Sequence, residues 1–442
     1  MKFSKLSQHF LVSSIGLLVA VFLTACQIVT IDYVFVAGSK STGSSTAGVG
    51  EILTYAADSE SGALRVVQGP VATGGSTPVA MAVSADYSNL YVANQITSTS
   101  NSLSVISHFT VANNGLVTLA DSVTLPSASG TAISLAVNPT STYLYVVSGN
   151  TSNTVSSVKA TLTQYALTSG TIGTATTPIS LALPIASYPN YAGDELVPTG
   201  VTVLADGNAV YVTTFDLAAY NPSGSVTSSN PQPGFIFGFV TGSGGTLTAT
   251  TGSPYAAGVK PSALVADPTN RFVYATDYAS NELIGYSITD CTTGSSTALT
   301  CPLSYLLNGP FRTGNEPVAV TIDPRGKFMY VANSLDASIT AFTIDLTSGT
   351  PTGAINPTGS SLNHTNTQPL AIAVDPALGR YVYTADFLGD SVTGFRLDPT
   401  AGTLTGTQSS PYPTNESGVN MIYPTSLAIV PHGNHSAIAV AN

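Results

Sequence analysis

The sequence predicts an all-β chain, a seven-bladed β-propeller with four-stranded antiparallel blades, its ring closed by N- and C-terminal segments that share a blade. Three observations carry this. An apolar strand, an Asp-Pro-type turn and a second strand rich in Tyr and Val recur as one phrase, starting at Pro78, Ala132, Pro198, Pro261, Pro317, Pro369 and Pro424. The copies stand 52 to 66 residues apart, and a blade of four short strands takes roughly 40 to 50 residues before long loops are added. The N-terminus carries the parts that the seventh, C-terminal copy lacks, and no stretch beyond the N-terminus shows sustained helical periodicity.

The first strand, A, and its turn are clearest in Pro261-Ser-Ala-Leu-Val-Ala-Asp-Pro268, Pro317-Val-Ala-Val-Thr-Ile-Asp-Pro324 and Pro369-Leu-Ala-Ile-Ala-Val-Asp-Pro376. Strand B follows as Phe272-Val-Tyr-Ala-Thr-Asp277, Phe328-Met-Tyr-Val-Ala-Asn333 and Tyr381-Val-Tyr-Thr-Ala-Asp386. The earlier copies are degenerate but keep register: Tyr91, Tyr145, Tyr211, Tyr274 and Tyr330 all fall 13 residues after their repeat start, and Tyr383 falls 14 after. Strand C alternates apolar and polar residues, as in Glu282-Leu-Ile-Gly-Tyr-Ser-Ile288 and Ser338-Ile-Thr-Ala-Phe-Thr-Ile344. A Gly turn then opens a short strand D at Gly62-Ala-Leu64, Gly115-Leu116, Gly170-Thr-Ile172 and Gly402-Thr-Leu404.

Residues 424–442 hold a strand A phrase and the apolar run Ala437-Ile-Ala-Val-Ala441, whereas residues 31–67 hold B-, C- and D-type strands and no A. The C-terminus is therefore expected to supply the inner part of the closing blade and the N-terminus the outer part, with either end able to supply strand B. Such a join leaves no large unpaired edge. An open solenoid would need polar capping repeats, which are not seen.

Residues 1–25 read as a signal peptide, 26–30 as a tether and 31–442 as the propeller. Lys2 and Lys5 precede an apolar run from Phe10 to Leu23 that would span roughly 21 Å as a helix, short of the ~30 Å hydrocarbon core. A cleaved signal fits better than a spanning helix. Leu23-Thr-Ala-Cys26 resembles the bacterial lipobox, which implies lipid on Cys26 and cleavage before it. The alternative is an ordinary secretory signal with a chance Cys. The expected location is the cell envelope, lipid-anchored at the outer membrane and facing periplasm or exterior.

Only 8% of residues are charged, and removing residues 1–25 takes away two Lys and no acid, moving the net charge from −11 to −13. That balance excludes a nucleic-acid partner, which needs basic patches. Cys291 and Cys301 flank a Thr/Ser/Gly loop between strands C and D of the fourth phrase-bearing blade. In an oxidising compartment they are expected to pair, and so short a loop makes the link worth roughly 2.8 kcal/mol at most. Two separate thiols are the alternative. No metal and no cofactor are expected. His432 and His435, the nearest approach to a ligand pair, bracket a turn, and His108 lies in a C strand as packing.

Topology selects the site. The D-to-A crossovers and B-to-C turns share one face of a propeller. The crossovers carry Asp194, Glu195, Lys260, Arg312, Glu316, His364 and Glu416, and the B-strand ends carry Asn94, Asp216, Asp277, Asn333 and Asp386. Asp216, Asp277, Asn333 and Asp386 are expected to form a binding rim, or else to cap strand ends and tight turns.

The Pro-x-x-x-x-x-Asp-Pro…Tyr-Val-Ala-Asn phrase and Gly252-Ser-Pro-Tyr255 resemble the bacterial lactonase-type seven-bladed propellers, the 6-phosphogluconolactonase-like and YVTN-repeat proteins, over about residues 31–442. Lactonase members often open a strand A with Pro-Arg-His. Here the openings read Pro78-Val-Ala, Pro261-Ser-Ala, Pro317-Val-Ala, Pro369-Leu-Ala and Pro424-Thr-Ser, so no catalytic residue carries over by that motif. The primary expectation is a lipid-anchored scaffold with an acidic rim, monomeric, bound to the membrane by its lipid and to a protein or glycan. The alternative is a lactonase-like hydrolase in the central funnel. Arg312 would then hold an anion or the oxyanion, and Glu316 or His364 would activate water.

Overall fold

The computed structural model describes residues 29–40, 49–95, 104–126, 130–150, 159–184, 186–189, 195–217, 233–291, 299–354, 363–416 and 420–432. They form seven antiparallel sheets in a closed ring. Blade 1 has strands A to D at Thr77–Val83, Asn89–Gln95, Val105–Val111 and Val117–Thr124, and blade 4 at Pro261–Ala266, Phe272–Asp277, Glu282–Ile288 and Leu303–Tyr305. Blade 7 is the seam. Its sheet runs from Leu64–Ala72 through Gly50–Asp58 and Thr30–Lys40 to Met421–Pro431. The C-terminus thus supplies strand A alone and the N-terminus supplies B, C and D. The apolar run at 437–441 lies outside the described residues, as do Cys26, Asp194 and His435.

The repeated residues each have a structural reason. The phrase Asp is buried and binds its own turn: Asp267 accepts the Arg271 and Phe272 N–H groups at 2.9 and 2.8 Å, and Asp323 those of Lys327 and Phe328 at 2.7 Å each. The phrase Tyr staples neighbouring blades. The hydroxyls of Tyr91, Tyr211, Tyr274, Tyr330 and Tyr383 donate to the carbonyls of Gly170, Cys301, Gly349, Gly402 and Gly62 at 2.6 to 2.9 Å, each in the C-to-D region of the next blade. Those turns need glycine. Gly62 and Gly349 have φ of +68° and +71°, and a Cβ there would meet the Tyr381 and Phe272 rings at 2.4 and 2.3 Å. Tyr274→Phe should lower stability by about 1–3 kcal/mol, because it leaves the buried Gly349 carbonyl without its donor. A reduced urea midpoint at unchanged slope is the expected reading; an unchanged midpoint would remove the staple from the account.

Two features were not legible in the phrase. Strand D is split in blades 2 to 6: in blade 4 Leu303–Tyr305 and Phe311–Arg312 both pair with strand C. The Gly252-Ser-Pro-Tyr255 element sits in the equivalent gap of blade 3. There Ser253 Oγ accepts the Gly238 N–H at 3.0 Å, and the Tyr255 hydroxyl donates to the Thr251 carbonyl at 2.6 Å. Strand A also takes an irregular step after its first residue, at Pro261/Ala263, Pro317/Ala319 and Pro369/Ala371. Such an extra residue re-aims the strand at the channel mouth.

Cys291 and Cys301 form a disulfide with Cα atoms 4.5 Å apart. Their carbonyls receive the Asn208 amide and Tyr211 hydroxyl of blade 3 at 2.8 Å each, so the link also shapes an interblade contact. At the seam, buried Asp32 of strand B faces buried Asp375 from the turn of blade 6. As a carboxylate Asp32 has no hydrogen-bond partner. Burial first, then the Asp375 charge and a hydrogen bond to Asp375, push its pKa up to about 9. It is therefore a neutral acid that donates to Asp375 at ordinary pH. Among the described residues, no helix is long and apolar enough to cross a membrane.

Candidate functional site: the upper rim

The B-strand ends reach the upper rim, and their side chains are turned into the fold. Asp216, Asn333 and Asp386 are 0% exposed and Asp277 is 1% exposed. The Asp277 carboxylate accepts the N–H groups of Val259, Lys260, Ala279 and Ser280 at 2.7 to 3.4 Å, tying the incoming crossover to the B-to-C turn. Asn333 Nδ2 donates to Ser338 Oγ and Thr340 Oγ1 at 3.1 and 3.0 Å. Asp386 accepts the hydroxyls of Thr384, Ser391 and Thr393 at 2.8, 3.3 and 2.6 Å, and burial still lifts its pKa to about 6 against those donors. These are the bonds by which short polar side chains hold tight turns.

What reaches solvent comes from the residues between those ends and the next strand. Lys260, half-buried, sits over the Tyr278 ring at 4.5 Å and the Phe215 ring at 5.4 Å. Burial lowers its pKa, and the Glu316 charge works against that shift. Glu316 is held in place. It has φ of +54°, its N–H donates to Asn281 Oδ1 at 2.8 Å, and Ser334 Oγ donates to its Oε2 at 3.2 Å. Beside it, Asp336 accepts the Asn315 backbone and side-chain N–H groups at 2.6 and 2.8 Å. Lys260 and Glu316 thus bring opposite charges to the crossovers that lead into blades 4 and 5.

The three residues expected to catalyse hydrolysis occupy different places. Arg312 is exposed on the second piece of strand D in blade 4, opposite Glu282; His364 is exposed on the matching piece in blade 5, opposite Ser338; Glu316 lies on the crossover between them. Among the described residues, no hydrogen bond or ion pair joins any two of the three. No group of three His, Cys, Asp or Glu able to hold a metal occurs among the described residues. His108 is buried between Asn89 and Asp121, 2.8 Å from each, and stacks on Tyr91. His432 packs edge-on against Tyr33.

The rim also carries residues that the sequence reading passed over. Leu335 and Leu388, 66% and 57% exposed, project from the B-to-C turns of blades 5 and 6, beside Asp336 and Asp390. Phe387 stacks on the exposed Tyr423 at 4.9 Å. An apolar residue at the same place in two consecutive turns is visible in the aligned repeats.

Residues 235–420 match the family model described as lactonase, seven-bladed beta-propeller. No curated protein matches the chain. Among solved structures, the periplasmic gluconolactonase of Pseudomonas aeruginosa superposes with a TM-score of 0.67 at 17% identity, covering 91% of this chain and 99% of that one. A 6-phosphogluconolactonase candidate from Bacteroides uniformis gives 0.65 at 16%, covering 91% and 100%, and a protein from Lactobacillus plantarum gives 0.63 at 15%, covering 90% and 99%. Likeness at these identities establishes the shared fold, in agreement with the resemblance read from the repeats.

Proposed function

We propose that this chain, a seven-bladed propeller of the lactonase type, is a lipid-anchored envelope scaffold that presents its upper rim to a partner. One observation carries the choice of binding over hydrolysis: the strand A openings, Pro261-Ser-Ala, Pro317-Val-Ala and Pro369-Leu-Ala among them, bring no Arg or His to the funnel. A hydrolytic site needs the water-activating base and the oxyanion donor within reach of one reacting atom. The upper face instead offers exposed Leu335 and Leu388 among Glu316, Asp336, Asp390 and Glu416. Apolar residues ringed by polar ones mark interaction surfaces. The lipobox-like Leu23-Thr-Ala-Cys26 supports the anchor, and the acidic balance supports a partner with a basic or neutral face.

The second reading is hydrolysis of a sugar lactone in the funnel. It is favoured by the family match across blades 4 to 6 and by the neighbours described as gluconolactonases. Glu316 would be its base and Lys260 its anion holder. A purified protein lacking residues 1–25 should open glucono-lactones no faster than buffer. A rate above buffer that falls by about two to three orders of magnitude in Glu316→Gln, with the fold intact, would overturn the scaffold reading in favour of the second.

A further inference from the structure

Between blades 3 and 4 the upper face opens into a cleft of about 550 Å³. One wall is the crossover backbone of Ala256, Gly258 and Val259, and the other is strand C of blade 4 with the break in its strand D. Ile284, Gly285 and Leu306 make an apolar floor. Tyr305 forms an aromatic wall that is 54% exposed. Its ring is held rather than swinging: it packs on Tyr286 at 4.9 Å, and both hydroxyls donate to the Ala256 carbonyl at 2.7 Å.

The polar edge is unusual for a protein so poor in charge. Glu282 lines the cleft, and Arg312 is its direct cross-strand neighbour. Opposite charges in that relation normally pair. Here no ion pair or hydrogen bond among the described residues engages either side chain. The Glu282 carboxylate stands open in a cleft with a fixed aromatic ring and an apolar floor, while Arg312, its cross-strand neighbour, lies outside the residues that line the cleft. A cleft of this size suits a small molecule. A pyranose has the matching character, with an apolar C–H face and a rim of hydroxyls that both donate and accept.

We propose that this cleft binds a neutral hexopyranose unit of a glycan, stacked on Tyr305, with its hydroxyls donating to Glu282. The charged groups that line the cleft, Asp277 and Glu282, are both acidic, which disfavours an anionic sugar. The site lies between blades, off the funnel, and does not depend on the rim reading above.

Saturation-transfer NMR and calorimetry with the methyl glycosides of glucose, galactose, mannose and N-acetylglucosamine, and with gluconate as the anionic comparator, test this on the protein lacking residues 1–25. At least one neutral glycoside should bind at millimolar concentration. Glu282→Gln should weaken it about tenfold, the value of a hydrogen bond to a charged group. Tyr305→Ala should abolish measurable binding, Tyr305→Phe should retain it, and Leu335→Asp should leave it unchanged. No binding by any neutral glycoside, binding of gluconate alone, or binding unaffected by Tyr305→Ala would each overturn the proposal.

Discussion

Asp32→Asn is expected to stabilise the protein at pH 8 and to leave it unchanged near pH 4. The Asp32 carboxyl is raised from 3.8 to about 9 in the fold, so between those values the folded chain holds a proton that the unfolded chain has released. Stability must then fall as pH rises through that window, by up to about 1.4 kcal/mol per unit, with the full contribution present below about pH 4 and lost above about pH 9. An Asn at this position is neutral at every pH and can donate an N–H to Asp375 in place of the acid proton. The gain at pH 8 should be on the order of 2–4 kcal/mol, allowing for relaxation around the pair. Urea midpoints measured from pH 4 to pH 9 read it directly: two curves that meet in acid and diverge in base support the shared proton. A variant that is weaker at pH 8 would show that the ionised pair is tolerated or is neutralised by something other than a proton.

Cys26→Ser should move the protein from the membrane to the soluble fraction of an expressing cell. The reason is geometric. Residues Phe10 to Leu23 are too few to cross the hydrocarbon core well, whereas acyl chains attached to a processed Cys hold a protein stably when two or more are present. Fractionation followed by alkaline extraction should find the wild type with the membrane and the variant in the supernatant, as unprocessed precursor or as free domain. Retention of the variant after alkaline extraction would show that the apolar segment itself anchors the chain, and the lipid reading would fall.

The blade count was legible because each repeated residue does local work that any blade must repeat. Asp267 and Asp323 close the turn that follows strand A, and Tyr274 and Tyr330 reach the next blade at one fixed offset. The seam was only half legible, since Tyr33-Val-Phe-Val-Ala37 and the run after Pro431 both have the composition of a strand B. Pairing of Thr30–Lys40 directly with Met421–Pro431 decides it. The site was less legible still. Asp277 and Asp386 carry the residue type expected of a binding rim, and composition does not say which way a side chain points at a strand end. Arg312 comes to stand opposite Glu282 only because strand D breaks and resumes, a detour that the spacing between Tyr305 and Phe311 does not announce. Tyr305 gives no signal in the sequence, because an exposed aromatic in an outer strand has no periodic signature.

The seam sets an order on how the protein can be made. Strands B, C and D of the closing blade are synthesised first, yet their partner at Met421–Pro431 emerges last. Until then the edge of Thr30–Lys40 that strand A will cover has no partner of its own sheet, and an open edge recruits foreign strands. Ring closure joins residues at opposite ends of the chain, so it is among the slowest contacts to form. A chain released before residue 421 would leave six whole blades beside an edge that nothing can close. Such a product invites pairing with a second truncated chain, or removal by proteases.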